Sequence, residues 1–248
     1  MNFNGRHVVI TGASTGIGRA TAARIASAGG RVTLIARRAD LLEAAARELG
    51  EGARWAAADV GDKAQLIAAL DAAVAQNGII DGLFLNAGIG GNFCAVEDYP
   101  DDVFDAVMTV NLTSVFWAIA HVLPAMKARR GGAILVTGSL ASERGMPMNA
   151  AYVASKHAVL GLSRAVANEG AAFGVRSNCV IPGLIDTPML DGLPPGAADQ
   201  MARAVPLGHT GTADELAQVA AFLLSDAASH VTGQALAVDG GMLGTMRV

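Results

Sequence analysis

The chain carries little charge and almost no cysteine. Charged residues make up 16% of its 248 positions, and 18 lysines and arginines against 22 aspartates and glutamates leave a net charge of −4. That balance gives no basic footprint for nucleic acid or for an anionic membrane, so the expected partners are small molecules and copies of the chain itself. The two cysteines, Cys94 and Cys179, lie far apart, with neither a Cys-x-x-Cys pair nor histidines at ligand spacing. They read as two reduced packing thiols, and no metal site is legible. The opening residues MNFNGRHVVI hold no long apolar core. The expectation is therefore neither signal peptide nor membrane anchor, and a cytoplasmic location.

What the chain has in quantity is apolar surface: 52% of its residues are hydrophobic, enough for a large core. Short strand-like runs at His7–Thr11, Val32–Ala36, Arg54–Ala58, Leu83–Leu85, Ala133–Thr137, Arg176–Val180 and Ala235–Val238 alternate with Ala- and Leu-rich helical stretches. This pattern predicts an α/β fold with a doubly wound parallel sheet of about seven strands and helices on both faces. No repeat or low-complexity linker divides it, so residues 1–248 are expected to form a single domain. The one compositional break, Pro182 to Pro206, concentrates prolines and glycines just past a strand's carboxyl end, where open α/β sheets place ligands. A substrate-loop segment is expected there, at about 184–210.

Two motifs carry chemistry. In HVVITGASTGIGRATAARIA, Gly12, Gly16 and Gly18 fall in a strand-to-helix turn. Glycine permits positive φ, lets a diphosphate approach the backbone and lets helix and strand pack closely, while the helix start offers free N–H groups to an anion. In AAYVASKHAVLGL, Tyr152 and Lys156 stand one helical turn apart, with Ser139 upstream in ILVTGSLAS. An ammonium beside a phenol favours the phenolate, which can exchange a proton with an alcohol or ketone while the serine hydroxyl holds the substrate oxygen. Alone, the first motif also fits a tight packing turn and the second a solvated helix face.

Together, the G-x-x-x-G-x-G turn and the S…Y-x-x-x-K trio resemble the short-chain dehydrogenase/reductase family, with matches in order along essentially the whole chain. The resemblance implies a Rossmann-type domain and a catalytic tetrad of Asn111, Ser139, Tyr152 and Lys156. Asn111 would support a water leading from Lys156 to solvent, and Lys156 would bind the nicotinamide ribose. Implied cofactor contacts are Gly12, Ser14, Thr15, Gly16, Ile17 and Gly18 in the turn, Asp59-Val60, Asn86-Ala87-Gly88, Tyr152 and Lys156. Pro182-Gly183 with Ile185 and Thr187 would flank the nicotinamide. Cofactor choice is read at the end of the second strand, where Ala36 replaces the acidic residue common in NAD sites and Arg37 and Arg38 follow. Arg37 can pair with a 2′-phosphate, so NADP(H) is expected ahead of NAD.

The expected reaction is hydride exchange between NADP(H) and a secondary alcohol or ketone, with Tyr152 as acid and base. Leu140, Ala141, Met146, Met148, Met189, Leu190 and Leu193 are read as the substrate pocket wall; they favour an uncharged substrate. A 3-oxoacyl-acyl-carrier-protein reductase is the alternative, although Ile89-Gly90-Gly91-Asn92 departs from that enzyme's usual sequence. A non-catalytic NADP-binding sensor is a third reading, and such a protein has no need of the intact tetrad. The resemblance also implies a homotetramer, to which the apolar tail 242–248 could contribute.

Overall fold

In a computed structural model that describes residues 1–188 and 202–245, the β-branched run His7–Thr11 forms β1 with all five residues buried. Alternate side chains of a strand face opposite ways, so Val9 enters one apolar cluster while Val8 and Ile10 enter another. The same division recurs in β2 (Arg31–Ala36), where Ile35 opposes Val32 and Leu34, and it continues along the chain. The further strands are β3 (Ala53–Ala57), β4 (Gly82–Leu85), β5 (Gly132–Thr137), β6 (Val175–Pro182), the two-residue pair β7 (Ile185–Asp186) and β8 (Gly211–Thr212), and β9 (Ala235–Val238). Seven of them form a parallel sheet in the order β3-β2-β1-β4-β5-β6-β9.

Among the helices, α1 (Gly16–Ser27) and α2 (Ala39–Leu49) cover the Val8 face, whereas α3 (Lys63–Asn77) covers the Val9 face. After α4 (Asp101–Met108), α5 (Ser114–Ala128) and α6 (Ala150–Ala171) join α3, and α7 (Ala213–Leu224) returns to the face of α1. This is the two-sided, doubly wound sheet that the alternating pattern predicts. Boundaries move slightly: β3 starts at Ala53, and β6 runs on through Pro182. A proline is tolerated at that last position because the next backbone N–H, from Gly183, supplies the bond to the Val238 carbonyl at 3.0 Å. The helical run Asp101–Ala128 is long and apolar enough to cross a bilayer by length and composition. Here it spends Val115, Ala118, Ile119, Val122 and Met126 on the sheet's core.

Strand order reverses between β1 and β4, so a crevice opens at their carboxyl ends, where ligands of such sheets bind. The opposite end of β1 is fixed by a buried histidine. His7 Nδ1 lies 2.9 Å from the Gly78 carbonyl and therefore donates, which leaves Nε2 to accept from Thr33 Oγ1 at 2.9 Å.

Burial pushes the His7 pKa below the ordinary histidine value, because the charged form loses hydration. The unfolded chain then binds the extra proton first as pH falls through about 6.5, so stability is lost on that descent until the folded-state value is reached. A melting curve taken from about pH 7.5 to 5.5 should show Tm falling, with a flatter slope in His7→Gln. Equal slopes would remove His7 from the account.

Candidate active site

Three glycines shape the turn after β1. Gly12 has φ 65°, and a Cβ there would sit 2.9 Å from the Ala87 backbone; a Cβ on Gly18 would fall 2.5 Å from the Gly12 carbonyl oxygen. Gly16 also takes a left-handed φ of 56°, and its missing Cβ would lie 3.2 Å from Thr187 Cγ2, so the residue after β7 packs over the turn. Helix α1 then begins with no side-chain cap and no carboxylate in its first turn. Its N–H groups and positive dipole end are open to an anion, so the cradle fits the diphosphate of a dinucleotide.

The strand ends beside this turn are tied together. Asn86 Nδ2 donates to the Thr11 and Gly12 carbonyls at 3.3 and 3.2 Å, and its Oδ1 accepts from Thr137 Oγ1 at 3.2 Å. Thr11 Oγ1 accepts from the N–H groups of Asn86 and Ala87. The Asn86 side chain is therefore spent on the scaffold, leaving backbone and Ala87-Gly88 to face a ligand. Asp59 Oδ1 likewise accepts from Gly61 N at 2.9 Å and fixes its own turn, with Val60 buried behind it.

At the end of β2 the two arginines differ. Arg38 Nη2 donates to Ser14 Oγ at 3.1 Å and Thr15 Oγ1 at 3.2 Å, so it lies across the glycine turn. Arg37 is exposed and has no partner among the described residues. Sequence reasoning singles out Arg37 for a 2′-phosphate but gives no sign that Arg38 reaches Ser14 and Thr15, because that contact joins elements far apart in sequence.

Lys156 is 4% exposed, and its Nζ donates to the Thr137 carbonyl at 2.7 Å. It lies 5.6 Å from the Tyr152 ring centroid and 3.6 Å from where a Gly88 Cβ would be. Helical spacing thus brings ammonium and phenol together, as Y-x-x-x-K predicts. Asn111 sits not in a regular helix but in a π turn, Thr109–Thr113, between α4 and α5. Its amide clasps one residue, accepting from Ile89 N at 2.8 Å and donating to Ile89 O at 2.9 Å, and it also donates to Ser155 Oγ at 3.1 Å. Both ends of the amide are satisfied, as a buried asparagine requires.

Ser139 caps the short 3-10 turn Leu140–Ser142; its Oγ accepts from Ala141 N at 3.2 Å. The hydroxyl proton of Ser139 and the hydroxyl of Tyr152 have no partner among the described residues. Two free O–H groups and a buried cation beside a dinucleotide cradle can hold a carbonyl oxygen and exchange a proton with it.

The remaining expected residues divide. Ile185 is buried in the core, and Gly183 packs with its missing Cβ 2.5 Å from Asp239 Cα, so the Pro182–Thr187 segment is pinned beside β9. Of the expected pocket wall, Ala141 is buried and Leu140 packs against the core, whereas Met146 and Met148 are exposed. The short turn that carries the first pair packs against α6. Met189, Leu190 and Leu193 lie outside the described residues, as do positions 246–248 of the tail. Residues that sequence reasoning missed are Thr11, Thr137, Ser155 and Asn149; each is polar, buried or half-buried and bonded across elements, and although all four stand in or beside a recognised motif, nothing local shows which distant residue each one bonds.

Residues 12–243 match the family model described as enoyl-(acyl carrier protein) reductase. Levodione reductase from Leifsonia aquatica is 38% identical, with 96% of this chain and 94% of that protein covered. A crystal structure of levodione reductase superposes with a TM-score of 0.93 at 37% identity, covering 97% and 98% of the two chains. Cis-4-hydroxycyclohexanecarboxylate dehydrogenase from Sinomonas cyclohexanicum is 39% identical over 96% of this chain and 97% of its own. The chain belongs to the short-chain dehydrogenase/reductase family. It is an oxidoreductase acting on CH–OH donors, and the family binds NAD(P). A 3-ketoacyl-(acyl-carrier-protein) reductase from Brucella melitensis, solved with NADH, is a further similar structure, with TM-score 0.91, 33% identity and coverage of 96% and 98%.

Cys179 lies directly behind this site, near Gly138, and burial pushes its thiol up to about 11. It stays protonated and closed to reagent, whereas Cys94 is half-buried. Iodoacetamide at about pH 8 should therefore label Cys94 in the folded enzyme and Cys179 only after unfolding. Mass spectrometry finding native Cys179 alkylated would contradict the packing described here.

Proposed function

We propose that the enzyme is an NADP(H)-dependent dehydrogenase/reductase of an uncharged secondary alcohol or ketone of about ring size. The observation that carries this reading is the pair of free hydroxyls, on Ser139 and Tyr152, beside the buried Lys156 ammonium. When bound, the nicotinamide supplies hydride chemistry at the carbonyl carbon. Ser139 donates a hydrogen bond to the ketone oxygen, and Tyr152 gives that oxygen its proton as the C–H bond forms. In the reverse direction Tyr152 takes the proton back. Lys156 holds positive charge against the phenol, and with the cofactor bound it would also hold the nicotinamide ribose.

NADP(H) is favoured over NAD by Ala36, which presents no carboxylate to repel a 2′-phosphate, and by two guanidiniums beside it. Arg37 is free to pair with the phosphate, while Arg38 is already laid along Ser14 and Thr15 at the turn. A ring-sized substrate is supported by the relatives named for levodione and for a hydroxycyclohexanecarboxylate, and an uncharged one by the exposed apolar side chains of Met146 and Met148. Acyl-carrier-protein substrates are the second reading, supported by the Brucella structure and the description of the family model. Exposed Phe104, Phe116 and Leu236 on helical and edge-strand surfaces support self-association, which we take to be a cytoplasmic homotetramer.

A panel of cyclic and acyclic ketones and an acyl-carrier-protein thioester, assayed with NADPH and with NADH, tests the whole reading. NADPH with a cyclic ketone should give the highest kcat/KM; a preference for NADH or for the thioester would overturn it. Tyr152→Phe should lose about 10²-fold or more of turnover while still binding NADPH in a fluorescence titration. Retention of a tenth of the activity would end the acid/base role. Ala36→Asp with Arg37→Leu should cost NADPH about tenfold or more in kcat/KM and favour NADH, since charge-assisted bonds to the phosphate are lost.

A further inference from the structure

Asn149 stands at the N-cap of α6, three residues before Tyr152, and is 2% exposed. A side-chain oxygen at that position ordinarily accepts from an N–H of the first helical turn. Here no such bond forms. Instead Asn149 Nδ2 donates to the Gly90 carbonyl at 3.0 Å. A carbonyl only accepts, so the amide's orientation is settled, and Oδ1 is left buried without a partner. A forgone cap and an orphaned buried acceptor are both costs, and what they secure is a grip on Gly90.

Gly90 follows Ile89, whose N–H and carbonyl are both held by Asn111. Two buried asparagines therefore hold consecutive residues of the loop after β4. Farther along, Cys94 N donates to the Met148 carbonyl at 2.9 Å, and Met148 adopts a φ of 63°, a conformation uncommon for a residue with a side chain. The segments 89–94 and 146–149 are thus fastened to each other at two points. The fastened lip carries Phe93, Met146 and Met148, which are 67%, 37% and 55% exposed. Large apolar groups left open beside a catalytic tyrosine match an uncharged hydrocarbon ligand.

We propose that Asn149 is a positioning residue for substrate selection: it clamps the loop 89–94 to the start of α6, and the lip so formed, with Phe93 and Met148, selects ring-sized, uncharged ketones and alcohols. This deepens the ketone-reductase reading above and rests on it. Asn149 acts through Gly90 and the lip, not on the reacting atoms.

Two variants separate this role from a structural one. Asn149→Ala removes the side chain, whereas Asn149→Asp keeps its size and a capping oxygen but has no N–H to give Gly90. Amide hydrogen exchange across 89–94 is measured on cofactor-free protein, alongside Tm, and KM is measured for cyclohexanone and for acetone with NADPH. In Asn149→Asp, Tm should stay within a few degrees of wild type while exchange across 89–94 quickens about tenfold or more. KM for cyclohexanone should rise about tenfold, with kcat/KM for acetone changed less than about threefold. A folded Asn149→Asp with wild-type exchange overturns the clamp, and quickened exchange with an unchanged ketone ratio overturns its selecting role. A wild-type enzyme that reduces neither ketone overturns the ketone reading itself, and the exchange comparison then still decides the clamp.

Discussion

The site is organised around one buried cation. An ammonium removed from water is costly unless something compensates it, and Lys156 has no carboxylate partner among the described residues. Its compensation is the Thr137 carbonyl, the last acceptor of β5, at 2.7 Å. The Thr137 hydroxyl in turn holds Asn86, and Asn86 reaches back to the carbonyls of Thr11 and Gly12. The glycine turn, the ends of three neighbouring strands and Lys156 are therefore one hydrogen-bonded unit. A displacement of any strand end is transmitted to the charge beside Tyr152.

What keeps those strand ends in place is the core on both faces of the sheet. Val9, Leu83, Leu85 and Val136 on one side and Val8, Ile10, Phe84 and Leu135 on the other fix the register of β1, β4 and β5. A one-residue slip would exchange the two sets of side chains, so the positions of Thr11, Asn86 and Thr137 are not negotiable. The geometry of the candidate site is in this sense inherited from sheet register. The loop after β4 is less constrained, and there the chain uses buried asparagines, Asn111 and Asn149, to fasten backbone that no strand holds.

The fold was legible because both periodicities are strong: β-branched runs of five or six residues between Ala- and Leu-rich helices leave little choice but a two-sided parallel sheet. The glycine turn and the Tyr152–Lys156 spacing were legible because each rests on local geometry, a left-handed backbone or one helical turn. The partners Thr137, Ser155 and Asn149 were not, since their roles depend on contacts between residues far apart in sequence, for which a threonine, serine or asparagine carries no signature. The same limit applied to Arg38, whose contact with Ser14 no local pattern announces. Asn86 was expected at the cofactor, yet its side chain is consumed in joining β1 to β5.

The central claim is that Lys156 serves both the phenol and the nucleotide from its seat at the end of β5. Lys156→Met keeps much of the volume and removes the charge, so measuring NADPH affinity and turnover on the same preparation is the direct test. The account predicts that turnover falls by about 10²-fold or more and that NADPH binds about tenfold or more weakly, as expected when a charge-assisted bond is lost. Loss of turnover with unchanged affinity would contradict the dual role, and retained turnover would contradict the account as a whole.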